Sequence, residues 1–467
     1  MDFLNKELKI EKISPFEFAG NSEFLGATLY SIDGKKNHLL RSRNGTSIII
    51  DEKLCSDIRD KRISPELKTL LFARGFVDDF KRYNIRSLPP RPRFFMIDFT
   101  TKCNMNCYYC LRHFPDSGET ILKEQLDRIL NYIIAYCRKN SFSNISIQPW
   151  GGEPLLAVDK IFYMQEYLIS SGINPDISIQ TNGLLLSDEL CLQLKEKKIS
   201  IGVSIDGCEE IHNFHRKNWL DEETFKIVSN NIRILKKYYG ENFGSISVNS
   251  KYSLPYIEKS LDVFAKEIGI RSIKMNLMHP NCDEFDLSSV ISNDDLGEFI
   301  QRILIKILSL NKEGYRIFDS NIRDKIHNLL LGGCSELCHS DGCTGGYSSV
   351  TFSREGDIFP CELVGNEKVK LGNISEGKDL TELIQENITK NIYFKDKKKK
   401  ECEGCDWQVY CRGGCTASCF SYNRKAGEVD EKECTINQYL YPTLIKLILC
   451  IPEAISCLAN YQINLEE

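Results

Sequence analysis

Three cysteines, Cys103, Cys107 and Cys110, stand within eight residues directly after the run DFTTK. Three thiolates on one short loop can hold three irons of a [4Fe–4S] cube and leave the fourth iron without a protein ligand. An open iron can be chelated by a substrate or cofactor, as catalytic metal sites keep a vacant position. Zinc is the competing occupant, but a structural zinc wants four ligands, and His113 is the only nearby histidine. The whole chain carries 20 cysteines, ten of them between Cys334 and Cys434. In a reducing compartment such numbers point to metal or redox chemistry rather than disulfides. The scattered ones, Cys55, Cys137, Cys191, Cys208, Cys282, Cys450 and Cys457, read as small buried hydrophobes.

Two further groups of residues could face the same loop. In Trp150-Gly151-Gly152-Glu153-Pro154 the glycines let the backbone approach a ligand, and Glu153 offers a carboxylate to an ammonium group. A simple turn explains this stretch equally well. Ser204-Ile205-Asp206-Gly207 is followed by His212, His215 and Arg216, and Arg216 could pair with a carboxylate in bidentate fashion.

Short β-branched runs carry these groups: FFMIDFT, ISIQPW, ISIQTNG, ISIGVSID, ISVNS and RSIKMNLM. Between them lie segments of helical period, such as ILKEQLDRILNYIIAYC and TFKIVSNNIRILKKYY. Six strands alternating with helices predict a parallel sheet with right-handed crossovers, either doubly wound or an incomplete βα barrel. In both cases the loops after the strands form the site, so the three groups share one mouth. Residues 1–92 predict a small α+β domain, with strands in GATLYSI and TSIIIDE and a helix in PELKTLLFARGFV. Pro89-Pro90-Arg91-Pro92 marks a linker. Residues 93–315 are expected to carry this sheet, and 316–467 a cysteine-rich domain closed by an apolar helix around YPTLIKLILCIPEAISCLA, broken by Pro452.

The chain has 467 residues, 42% of them apolar and 27% charged, with a net charge of −5. That composition excludes global disorder and argues against a general nucleic-acid binder. No run of 18 apolar residues and no signal-peptide pattern is present, so no membrane role and a cytoplasmic location are expected. The run Lys397-Lys398-Lys399-Lys400 reads as a solvated loop, or as a peptide-docking patch.

In these motifs the sequence resembles the radical S-adenosylmethionine superfamily, with Cys103, Cys107 and Cys110 as its CxxxCxxC signature and GGEP at 151–154 as its second motif. The resemblance implies an α/β fold, a partial (β/α)6 TIM-type barrel, in which S-adenosylmethionine chelates the open iron. One-electron reduction then cleaves it to methionine and a 5′-deoxyadenosyl radical that takes a hydrogen atom from substrate. By position, it assigns Tyr109 to the adenosine, and Gly151, Gly152 and Glu153 to the loop that meets the amino group. Ser204 and Arg216 would serve ribose and carboxylate, and Leu277 the adenine pocket. Thr181-Asn182-Gly183 echoes the family too, although an αL turn explains it as well.

The later cysteines resemble the SPASM extension, which holds two auxiliary [4Fe–4S] clusters. By analogy Cys343, Cys361 and Cys415 ligate the first, with Cys338 or its rival Cys334 as fourth ligand, or with an open iron. Cys402, Cys405, Cys411 and Cys434 would ligate the second, and Cys419 is surplus. Glu362 stands where sulfatase-maturating relatives carry a catalytic aspartate. SPASM enzymes mostly modify peptides, and the N-terminal unit resembles in outline the winged-helix precursor-recognition element of peptide maturases. The expectation is therefore a radical maturase that crosslinks a ribosomally made precursor peptide bearing a leader, through a thioether or a carbon–carbon bond. A flavodoxin or ferredoxin-type protein would donate electrons. The rival readings are an anaerobic sulfatase-maturating (formylglycine-forming) enzyme and a non-catalytic iron–sulfur electron-transfer protein.

Overall fold

The computed structural model describes residues 2–18, 22–77, 89–112, 114–279, 287–332, 343–363, 367–394, 402–421 and 428–460. His113, Cys282, Cys334, Cys338 and the lysine run 397–400 lie outside them.

The N-terminal unit is a four-stranded antiparallel sheet of β1 (Lys9–Ile13), β2 (Ala27–Ser31), β3 (Asn37–Ser42) and β4 (Ser47–Asp51), in that spatial order. Helices α1 (Glu52–Arg59) and α2 (Pro65–Ala73) follow. Asp51 and Ser64 cap them by accepting from Leu54 N and Leu67 N. Strand alternation splits the sheet between two cores. Leu29, Leu40, Ile48 and Ile50 pack with the unit's own helices, whereas Tyr30 and Leu39 join the main core of the chain.

Six parallel strands follow: β5 (Phe94–Thr100), β6 (Asn144–Gly151), β7 (Asn174–Thr181), β8 (Ser200–Ser204), β9 (Gly244–Asn249) and β10 (Ser272–Leu277). All six coincide with the predicted runs. They pair in chain order, so the sheet is singly wound, as in a partial barrel, and not doubly wound. Helix α3 (Lys123–Lys139) buries Leu126, Ile129, Leu130, Ile133, Ile134 and Cys137, the helical spacing that made it legible. Strand β5 is buried on both faces except at Phe94 and Asp98, whereas along β6 and β7 the fully buried residues point into the helix layer and alternate with half-buried ones on the opposite face. That face carries Asp98, Gln148, Trp150 and Gln180, and it is the polar lumen of the half-barrel.

The sheet does not stop at residue 315. Phe318–Asp319 pairs with the outer edge of β10, and Ser349–Phe352, from the cysteine-rich segment, runs parallel to β5 on the other edge. The C-terminal helix α4 (Glu431–Cys450) starts ahead of the predicted apolar stretch and contains Pro442, and a second helix begins at Pro452. No helix of the described residues is long and apolar enough to cross a membrane.

Candidate functional site

The Cys103–Cys110 loop leaves the C-terminal end of β5 and is pinned from two sides. Residues Met105–Cys107 pair antiparallel with Arg216–Asn218, bringing Arg216 opposite Cys107. The GGEP loop packs on the other side: Gly152 N donates to Thr100 O (2.8 Å) and Glu153 N to Lys102 O (2.9 Å). A β-carbon on Gly151 would lie 2.1 Å from Thr100 O, and one on Gly152 2.1 Å from Lys102 O. The glycines therefore serve a close approach of this chain to itself, which seats the cysteine loop.

Glu153 is fully buried and accepts three hydrogen bonds, from Leu155 N (3.0 Å), Thr181 Oγ1 (2.8 Å) and Asn182 N (2.7 Å). Burial raises its pKa, and these donors oppose the rise. The carboxylate thus ties the end of β6 to the end of β7. Asn182 in turn donates to Asn104 Oδ1 (2.7 Å) and lies 4.0 Å from Cys103 Sγ. The Thr181-Asn182-Gly183 turn is therefore part of the frame around the cysteines as well as an αL turn, with Gly183 at φ 83°.

Asp206 organises the opposite wall, a role the sequence reading missed. It is buried, accepts from Arg216 Nε (2.8 Å) and Tyr109 Oη (2.5 Å) on one oxygen, and from Val248 N (2.9 Å) on the other. His215 Nδ1 lies 3.5 Å away. Burial alone would raise the Asp206 pKa, but Arg216, His215 and His212 outweigh it and hold the carboxyl well below its usual range. Arg216 also stands over the Tyr109 ring, 5.3 Å from its centroid. His212 is a satisfied core residue: Nδ1 accepts from Asp206 N (3.2 Å), so Nε2 donates to Thr224 Oγ1 (3.1 Å). Burial depresses its pKa to about 3. The structure thus brings Tyr109, Arg216 and the three thiols together. Ser204 accepts from Gln180 Nε2 (3.0 Å) on the lumen side, and Leu277 ends β10, half-buried.

Burial pushes the Cys103 thiol up to about 11 and that of Cys107 up to about 12. Such thiols become ligands when a cation replaces the proton. Among the described residues no three His, Cys, Asp or Glu side chains converge tightly enough for one ion. A single zinc would draw its sulfurs to about 3.8 Å apart. Three thiols on one loop, with Arg216 opposite Cys107, fit the three protein ligands of an iron–sulfur cube.

The later cysteines form two groups. Cys343, Cys361 and Cys415 cluster around buried Tyr393, whose hydroxyl is 3.1 Å from Cys343 Sγ. Glu362 Oε2 is 3.3 Å from Cys361 Sγ, and its carbonyl accepts from Arg112, which follows the first cysteine loop. Cys402, Cys405, Cys411 and Cys434 line a single cavity of about 290 Å³ with Trp407 and Asn437. Four thiols around one cavity fit a cluster with a full set of protein ligands. Cys419 is buried and its thiol lies against Cys415 O (3.3 Å) and Glu428 O (3.4 Å).

Residues 97–262 match the Radical SAM superfamily, and 343–406 match an iron–sulfur cluster-binding domain, SPASM. The chain carries a radical SAM domain and a SPASM domain. Those domains imply a [4Fe–4S] cluster with S-adenosylmethionine and auxiliary clusters. The radical SAM/SPASM chain is 26% identical over 363 residues to a cysteine-type anaerobic sulfatase-maturating enzyme of Clostridium perfringens, covering 74% of this chain and 95% of the relative. It is similar to native anSMEcpe with bound AdoMet and Cp18Cys peptide (TM-score 0.65, 24% identity, 76% of this chain and 99% of that one). It is also similar to Streptococcus suis SuiB bound to precursor peptide SuiA (TM-score 0.50, 15% identity, 85% of this chain and 96% of that one). At these identities the two structures establish the fold.

Proposed function

We propose that this radical SAM/SPASM chain matures a ribosomally made precursor peptide by forming a thioether or carbon–carbon crosslink. The observation that carries the reading is the N-terminal sheet. It lies ahead of the residues that match the Radical SAM superfamily. Residues Lys9 to Lys12 of edge strand β1 are exposed, and among the described residues no strand pairs with its outer edge. Such an edge offers unpaired N–H and C=O groups to an extended peptide. About a quarter of this chain lies outside its match to anSMEcpe, which spans 99% of that protein. Peptides are bound in both anSMEcpe and SuiB.

Cys103, Cys107 and Cys110 would hold the cluster that binds S-adenosylmethionine, which together supply, once reduced by a flavodoxin or ferredoxin-type protein, a radical that abstracts hydrogen. In this reading Tyr109 and Arg216, fixed by Asp206, form the wall against the nucleoside and the methionyl carboxylate, with Ser204 and Leu277 toward ribose and adenine. Gly151, Gly152 and Glu153 hold the loop beside the amino group. Cys343, Cys361 and Cys415 would hold the first auxiliary cluster, and Cys402, Cys405, Cys411 and Cys434 the second. We assign Glu362 as the carboxylate that accepts a proton from the substrate. The polar lumen admits the peptide.

The test is anaerobic reconstitution with S-adenosylmethionine and dithionite, beside a Cys103/Cys107/Cys110 triple alanine variant. Deoxyadenosine from the wild type alone supports radical initiation, and a precursor peptide lighter by two hydrogens supports crosslinking. A fully loaded chain that forms no deoxyadenosine would leave an electron-transfer protein. A second reading, formylglycine formation on a sulfatase, is favoured by the sulfatase-maturating relative and weakened by Glu362, which stands where such enzymes carry an aspartate. It predicts an aldehyde in place of a crosslink.

A further inference from the structure

The N-terminal sheet and the second group of cysteines share a wall. The segment between Cys405 and Cys411, which contributes to the four-thiol cavity, packs against that sheet. Arg41 of β3, 5% exposed, donates Nη2 to Asp406 Oδ1 (3.2 Å) and Nε to Tyr30 Oη (3.1 Å). Its guanidinium stands 5.5 Å from the centroid of Trp407. Tyr30 stacks on Trp407 (6.0 Å between centroids), and Trp407 stacks on Tyr441 of α4 (5.1 Å). Lys12 of β1 binds Asp406 as well, and Tyr410 donates its hydroxyl to Gly45 O in the turn between β3 and β4.

The cysteine segment itself contains one turn of helix, Gln408–Cys411, so local structure cannot stiffen it. Asp406 directly follows Cys405, and Trp407 lines the cavity. A buried guanidinium is costly without a carboxylate, so Arg41 and Asp406 hold each other in place. We propose that the N-terminal unit is a structural part of the second cysteine site. Arg41 is a positioning residue that acts through Asp406 and Trp407 so that Cys402, Cys405 and Cys411 converge with Cys434 on one cluster. The proposal rests on assigning those four thiols to one cluster, but it is independent of what the N-terminal unit captures.

The experiment uses the full chain, reconstituted anaerobically, and reads iron and sulfide per chain together with the electron paramagnetic resonance spectrum of the reduced protein. Cys402→Ser is the reference for a damaged second cluster. Three four-iron clusters amount to about twelve irons. Arg41→Ala is expected to lose about a third of the iron and the same spectral component as Cys402→Ser, while the spectral change on adding S-adenosylmethionine persists. Arg41→Lys is expected to restore part of both. A soluble Arg41→Ala protein with wild-type iron and spectrum overturns the proposal. If that variant aggregates, Asp406→Asn decides by the same readout, wild-type iron again overturning it. Wild-type iron in Cys402→Ser would overturn the ligand assignment, and the role of Arg41 with it.

Discussion

Asp206 receives Arg216 Nε at 2.8 Å in a place that both residues reach with almost no solvent exposure. The pair is a latch: Arg216 lies opposite Cys107 in a two-stranded ribbon, and Asp206 sits in the loop after β8. The wall facing the first cysteine loop is thus held by a charge pair.

Asp206→Ala leaves a buried guanidinium uncompensated, which costs about 3–5 kcal/mol. Urea unfolding at pH 7.5 measures this, and S-adenosylmethionine affinity is expected to fall with it. The folded-state pKa of Asp206 is depressed, so its contribution is present above the ordinary carboxylate range and is lost as pH falls below it. The difference between variant and wild type should shrink only in strong acid.

Asp98 carries the opposite sign. Burial raises its pKa to about 6, partly offset by Arg112 and Arg354, and its Oδ1 has no hydrogen-bond partner. The ionised form is disfavoured in the fold, so a penalty of about 3 kcal/mol is present above pH 6 and vanishes by about pH 4. Asp98→Asn is expected to raise the melting temperature at pH 8 and to leave it unchanged near pH 4. An equal effect at both values would refute the assignment.

Glu153→Ala strands three buried donors, from Leu155, Thr181 and Asn182. The expected loss is about 3 kcal/mol in chemical unfolding. Glu153→Gln, which keeps one carbonyl oxygen, should lose less.

Gly152→Ala puts a methyl group against the Lys102 carbonyl, at 2.1 Å in the unrelaxed structure. The backbone must move, and with it the loop of Cys103. Iron content after reconstitution is expected to drop by about one cluster, whereas a wild-type count would show that the loop tolerates the shift.

Much of this was legible in the sequence. Thiol spacing and hydrophobic runs are local, and they located the three cysteine groups, the six barrel strands and helix α3. The alternation in ISIQPW and ISIQTNG even carried the polar lumen, because one face of a half-barrel strand meets water, yet the runs were read simply as strands. Other features were hidden. Asp206 stands in plain view in SIDG, but its partners, Tyr109, Arg216 and Val248, come from three other segments. Glu153 reads as a ligand for an ammonium group, whereas the fold also makes it a strap for β7.

The sequence by itself determined which chemistry this chain can host, because three thiols at CxxxCxxC spacing bring their geometry with them. Only the tertiary structure decided the singly wound order of the strands, the Arg216–Asp206 latch and the union of Arg41 with Asp406. Each of these joins residues distant along the chain, and the burial of charge and the shape of packed side chains select such pairs only once the sheet has formed.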